Sequence, residues 1–282
     1  MTYNELLESS AKDAGNCTCM GLDPVLDAVP GEGPVRERLN AFFTALFRRM
    51  VFAGLIPAAF KPNIGYYAAL DNPRNEDFSG SQALADVFDL VENFFPGIPV
   101  ILDSKRGDIA KSSANYATEA FSLWGASAVT VAPYMGSDSV SPFTSVSPEK
   151  GVYVLCRTSN PGGKDLQNIE TKDGPFYEEV AKKIVEWKTG AVVGATGMDE
   201  LKDLAKLFVT DPVPLLIPGV GSQGGSAKEV VAVLKEVGYP LSLVRINSSS
   251  KLTHPWKESP VPEDWLDISM SNIRSLMEET AL

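Results

Sequence analysis

The chain has 282 residues, 44% of them hydrophobic and 22% charged, with a net charge of −11 and a pI near 4.7. That length suits one large α/β barrel or two ordinary domains, either with a substantial buried core. The acidic balance argues against nucleic acid or an anionic membrane surface as the main partner, so an anionic substrate would need a local cationic pocket.

In chain order the pattern is strand then helix, repeated. Strands are predicted over Asn16–Asp23, Ala58–Pro62, Val100–Ser104, Ala128–Ala132, Gly151–Arg157, Ala191–Gly194, Pro214–Pro218 and Ser242–Asn247. Amphipathic helices are predicted over Val35–Ala53, Ser81–Phe95, Ile109–Trp124, Ser137–Ser145, Phe176–Lys188, Asp199–Phe208, Ala227–Val237 and Glu263–Met277. This alternation is the arithmetic of a (β/α)8 TIM barrel, with a doubly wound open sheet as the structural alternative. No linker or low-complexity segment divides the chain, so residues 1–282 read as a single barrel domain. A short N-terminal helix at Glu5–Ala14 could close its bottom. The long polar loops Asp71–Ser79, Ser159–Pro175 and Ser248–Pro262 all follow strands, on the face where barrels place active sites.

Several function classes are disfavoured by what the chain contains. No apolar run approaches the roughly 18 residues of a bilayer span, and Met1-Thr2-Tyr3-Asn4-Glu5 lacks signal-peptide features. Cys17, Cys19 and Cys156 are odd in number and form no C-x-x-C, which fits reduced, buried thiols in a cytoplasmic protein. His254 is the only histidine and sits beside Pro255, in an expected loop. A Ser-His-Asp triad, a His-rich zinc site and a His base are therefore disfavoured, leaving Lys and Asp to carry any proton chemistry.

The richest stretch is Ile101-Leu102-Asp103-Ser104-Lys105-Arg106-Gly107-Asp108-Ile109. Residues two apart on a strand share a side, so Asp103 and Lys105 project together while Ser104 points away. Asp108 follows after Gly107, where the chain can turn into the next helix. Charges of alternating sign crowded at the end of a buried strand are costly unless they pair or perform chemistry. The bland alternative is a strand-end ion pair plus an Asp helix cap. Lys61 ends the apolar run Ala58-Ala59-Phe60; it needs a carboxylate partner, or it snorkels to the barrel mouth. After strand 7, Pro218-Gly219-Val220-Gly221-Ser222-Gln223-Gly224-Gly225 could bring backbone N–H groups to a phosphate, which barrels often bind there and after strand 8. Ser159, at the end of strand 5, could read an amide or imide edge.

Together these segments resemble the orotidine 5′-monophosphate decarboxylase family, and within it the branch carrying L-C-R-T-S-N-P-G after strand 5. The resemblance runs from Gly21 to about Lys251. It rests on Gly21-Leu22-Asp23-Pro24, Phe60-Lys61-Pro62-Asn63, Asp103–Ile109, Leu155–Gly162 and Pro218–Gly225. It implies a catalytic Lys61-Asp103-Lys105-Asp108 array in which Lys105 protonates pyrimidine C6 and Asp103 lies against the substrate carboxylate. It further implies substrate contacts from Asp23, Ile109, Ser112, Ser159, Pro218, Gln223, Gly224, Ser250 and Lys251. Asp108 and Ile109 would serve the neighbouring subunit's site, giving a homodimer with shared active sites and no metal or organic cofactor.

One position departs from the pattern. Relatives carry a phosphate-gripping arginine after Asn-Ser-Ser, whereas this chain reads Asn247-Ser248-Ser249-Ser250-Lys251. Lys251 would have to turn inward, or Gln223, serines and the amides of Gly224 and Gly225 would hold the phosphate. Two other functions compete: a magnesium-dependent sugar-phosphate decarboxylase or synthase of the same superfamily, and a non-catalytic nucleotide-binding relative. Lys61 argues against the former, which needs an acid near strand 2; turnover would exclude the latter.

Overall fold

The computed structural model describes residues 1–221, 223–256 and 260–282. Ser222 of the expected phosphate loop, and residues 257–259 of the last long loop, lie outside them. Eight parallel strands form one sheet: β1 (Thr18–Gly21), β2 (Ala59–Lys61), β3 (Ile101–Arg106), β4 (Ala128–Val131), β5 (Gly151–Arg157), β6 (Gly190–Val193), β7 (Leu215–Ile217) and β8 (Val244–Ser248). Each pairs with its sequence neighbours, and β1 pairs with β8. The ring closes between β2 and β3, where Phe60 N–H donates to the Pro99 carbonyl at 3.0 Å and Asp103 N–H donates to that of Pro62 at 2.9 Å. The sheet is a closed TIM barrel; the doubly wound alternative is excluded.

The strands are short apolar runs, and their alternation builds two cores. Inward residues such as Cys19, Ala59, Ile101, Ala128, Tyr153, Val192 and Leu216 fill the barrel. Outward residues such as Met20, Phe60, Leu102, Val129, Val154 and Ile246 pack beneath the surrounding helices. Those helices are α2 (Val35–Phe52), α3 (Ser79–Phe94), α4 (Ala110–Thr118), α5 (Ser137–Thr144), α6 (Phe176–Trp187), α7 (Met198–Phe208), α8 (Ala227–Val237) and α9 (Trp265–Glu279). The helix expected over Ile109–Trp124 is not uniform: α4 passes into a π-helical turn at Glu119–Leu123. No helix among the described residues is long and apolar enough to cross a membrane.

Helix α1 (Tyr3–Ala14) begins with a reciprocal cap between Thr2 and Glu5 and ends at Gly15, whose φ of +70° suits glycine. Its Tyr3 and Leu7 plug the bottom of the inner core. Arg245, fully buried in β8, holds the plug. Its guanidinium donates to the Leu7 carbonyl and to Ser10 Oγ, both at 2.7 Å, and to the carbonyls of Ser242 and Val244. Arg245 therefore belongs to the barrel floor and is no substitute for a phosphate clamp at the mouth. Replacing it with Met leaves several buried acceptors unmatched, so Arg245→Met is expected to lower stability by about 2–4 kcal/mol. An unchanged urea midpoint would contradict that role.

Candidate active site

The carboxyl ends of the strands surround a cavity of about 1270 Å³, and all eight strands contribute to its lining an inward side chain or residues of the loop that follows. Lys61 and Asp103 lie at its base, only 4% and 6% exposed. Lys61 Nζ donates to Asp103 Oδ2 at 2.8 Å, and Lys105 Nζ donates to Oδ1 at 2.6 Å. Lys61 is thus paired with a carboxylate, and the snorkelling alternative does not apply. Burial alone would push the Asp103 carboxyl up. The charges and hydrogen bonds of Lys61 and Lys105 outweigh burial and hold it well below the usual carboxylate range. Burial likewise opposes the Lys61 charge, but Asp103, with Asp23 further off, raises the ammonium above its ordinary value. The signs fix the pH window: Asp103 contributes stability above the ordinary carboxylate pKa of about 4 and loses it as pH falls, while Lys61 loses its contribution only at strongly alkaline pH.

Lys105 has an exposed side chain and a φ of +46°, one of three non-glycine residues with positive φ among those described. The sequence pattern placed Asp103 and Lys105 on one side of a regular strand. Their side chains do meet, but β3 is irregular there: its register against β4 shifts between Leu102 and Arg106. The irregular stretch is buttressed by Arg106, whose guanidinium pairs with Glu119 at 3.0 Å and lies 4.7 Å from the Tyr116 ring centroid.

Asp108 and Ile109 stand apart from the cavity lining. Asp108 Oδ1 accepts from Ile109 N–H at 2.7 Å, and Ile109 is 60% exposed. Asp108 is therefore not the N-cap, which Ile109 occupies without a side-chain cap. Ser112 is also absent from the lining, as are Gly224 and Lys251.

The remaining expected residues converge on the mouth. Asp23, Ser159, Pro218, Gln223 and Ser250 all line it. Asp23 Oδ1 accepts from Asn63 N–H at 2.9 Å, tying the β1 loop to that of β2. Ser159 Oγ donates to Gln223 Oε1 at 2.6 Å, which links the loops after β5 and β7 and leaves the Gln223 amide NH2 as a donor. The glycine loop differs from expectation. The N–H groups of Gly221, Gly224 and Gly225 donate to the carbonyls of Gly225, Gly221 and Gly219, each at 3.0 Å. In this conformation, loop carbonyls occupy the amides of Gly224 and Gly225. Lys251 lays its aliphatic stem against Gly221, whose φ is +87° and where a Cβ would stand 2.8 Å from Lys251 Cδ.

Several mouth residues were not singled out from the sequence. Thr130 of β4 donates to Asp103 Oδ1 at 2.8 Å; it is the only polar residue of an otherwise apolar strand, which was its one available signal. Arg157 is buried, pairs with Glu200 of α7 at 3.3 Å and donates to the Thr158 carbonyl at 2.6 Å. Gln167 accepts from Thr158 N–H at 2.8 Å and completes this brace under Ser159. His254, expected in a loop, is buried at the mouth beside Thr253 Oγ1, 2.8 Å from its Nδ1. Among the lining side chains, Lys61, Lys105, Arg157 and Lys164 outnumber the carboxylates Asp23, Asp103 and Glu200. The acidic chain thus has a locally cationic mouth.

Comparison with known proteins agrees with this geometry. Residues 57–238 match the family described as orotidine 5'-phosphate decarboxylase / HUMPS. A protein from Janthinobacterium sp. (strain Marseille) named orotidine 5'-phosphate decarboxylase is 41% identical over 236 residues, covering 82% of each chain. One of the same name from Variovorax paradoxus (strain S110) is 39% identical over 267 residues, 90% of each. The solved Leishmania donovani OMP decarboxylase superposes with a TM-score of 0.74 at 30% identity, over 99% of this chain and 98% of that one. The Leishmania donovani UMP synthase gives a TM-score of 0.75 at 32% identity; this chain spans 57% of its length. By sequence and fold, the chain belongs to the orotidine 5'-phosphate decarboxylase / HUMPS family.

Proposed function

We propose that the chain decarboxylates orotidine 5′-monophosphate to UMP and CO2 in pyrimidine biosynthesis. The observation that carries this reading is the buried Asp103 carboxylate held between two lysine ammonium groups at the base of a cationic mouth. A substrate carboxylate seated beside Asp103 is repelled in the ground state, and the repulsion fades as that carboxylate becomes neutral CO2. When the C6–carboxyl bond breaks, its electron pair remains on C6. Lys105 Nζ supplies the proton that forms the C6–H bond and is left as an amine, and its exposed side chain allows reprotonation by solvent. Lys61 keeps Asp103 charged and oriented. Ser159 and Gln223 read the pyrimidine, and Asp23 binds a ribose hydroxyl.

The reading extends to a cytoplasmic homodimer. Asp108, Ile109 and Ser112 lie off their own chain's cavity lining, which suits residues that complete a neighbour's site. The three cysteines are buried and unpaired, which suits a reducing compartment.

We assign Lys251 to the phosphate because it is the cation next to the expected clamp position and its stem packs on Gly221 of the glycine-rich loop. Lys251→Ala should weaken UMP far more than uridine, by on the order of ten- to a hundred-fold, the value of a hydrogen bond to a charged group. An unchanged nucleotide-to-nucleoside ratio at fixed ionic strength would make Lys251 a solvated loop residue and shift the role to Gln223 and the serines.

The test of the reaction class is turnover with and without EDTA. The decarboxylase reading expects full activity on orotidylate in EDTA and none on ketose phosphates. A magnesium requirement with sugar-phosphate turnover would support the sibling chemistry, and binding without turnover the non-catalytic relative.

A further inference from the structure

The irregularity in β3 has an identifiable cause. Leu102 pairs with Val129 and Arg106 with Val131, so Asp103, Ser104 and Lys105 all face the single residue Thr130. Surplus residues in one strand lose their ladder partners, and their N–H groups must be satisfied another way. Here the Thr130 hydroxyl takes that place. It accepts from Ser104 N–H at 3.1 Å and from Lys105 N–H at 3.0 Å, and it donates to Asp103 Oδ1 at 2.8 Å. A hydroxyl has one donor hydrogen and two acceptor lone pairs, so all three are in use. The β-branch restricts the rotamer that makes this possible.

We propose that Thr130 is a positioning residue for the proton donor. Its hydroxyl fixes the bulge that turns Lys105 to a φ of +46° and, through the same atom, orients the Asp103 oxygen that Lys105 Nζ contacts. The residue acts through Lys105 and Asp103 and need not touch the substrate. On its outer side the bulge is closed by Ala132 N–H donating to the Arg106 carbonyl at 2.7 Å. The next residue, Gly107, lies so close to Ala132 that a Cβ there would approach the alanine methyl to 3.0 Å. The bulge thus runs directly into a close backbone approach that favours glycine. The proposal rests on the decarboxylase reading for its kinetic consequences and on the observed geometry alone for its structural ones.

The test compares Thr130→Val, which keeps the shape and removes the hydroxyl, with Thr130→Ser, which keeps the hydroxyl. Small displacements of a catalytic group are costly, so Thr130→Val should lose roughly 10- to 100-fold in kcat, with KM for orotidylate and affinity for UMP changed by less than about threefold. Thr130→Ser should recover most of the loss, to within roughly fivefold of the parent, the deficit reflecting its freer rotamer. A Val variant with parental kcat, a Ser variant as impaired as Val, or a loss that falls on KM alone would overturn the proposal. So would failure of both variants to fold, since the hydroxyl would then serve the barrel and not the site. If the parent protein does not decarboxylate orotidylate, the functional reading fails by itself. The positioning role is then decided by the crystal structure of Thr130→Val: a Lys105 backbone that leaves positive φ supports it, and an unchanged Lys105 overturns it.

Discussion

Lys105→Ala should abolish decarboxylation while leaving the barrel folded. Lys105 Nζ lies 2.6 Å from Asp103 Oδ1, on a side chain that is 48% exposed, so its removal creates no buried cavity. The Asp103 carboxylate keeps Lys61 and Thr130 as partners. What disappears is the proposed acid and, with it, the attraction between an ammonium and the electron pair developing at C6. The loss should therefore exceed the roughly 10²–10⁴-fold that general acid–base catalysis alone contributes. Far-UV dichroism and the unfolding midpoint should stay near those of the parent. Retention of a tenth of parental kcat by a folded variant would remove Lys105 from the role of proton donor.

Mixing Asp108→Ala protomers with Lys61→Ala protomers should restore activity that neither variant has alone. Asp108 is half-buried at the rim with its carboxylate turned to its own Ile109 N–H, and neither residue lines the cavity of its own chain. If both reach across an isologous interface, a mixed dimer contains one site with both lesions and one with neither. Each heterodimer should then show about half the parental rate. Subunit exchange can be followed independently with differently tagged protomers. Mixed dimers that form and stay inactive would mean that each site is built from one chain.

Much of the site was legible because its chemistry sits where strand periodicity is strongest. Alternation along an apolar strand predicts that Asp103 and Lys105 meet, although a bulge and not a regular strand brings them together, and a lysine closing Ala58-Ala59-Phe60 needs a carboxylate. Strand order in a barrel then sets β2 beside β3 and makes the Lys61–Asp103 pair a consequence of topology. The three thiols are buried, as their number and spacing suggested. What was not legible depends on side chains far apart in sequence. The positive φ of Lys105 is imposed by Thr130, 25 residues away, and no local propensity announces it. The Arg157–Glu200 pair spans 43 residues, and the floor contact between Arg245 and Leu7 spans 238. A glycine-rich turn signals conformational freedom but not where its amides point. Here they point back into the loop.

A mouth built for orotidylate, with no metal in the reaction, should turn it over in the presence of a chelator. The ultraviolet absorbance of orotidylate can be followed after adding the purified protein in EDTA. A steady loss of the orotate chromophore is expected, with UMP and CO2 formed in equal amounts at a rate proportional to protein. A preparation that is folded, dimeric and binds UMP, yet leaves the orotidylate spectrum unchanged over hours, would contradict that expectation.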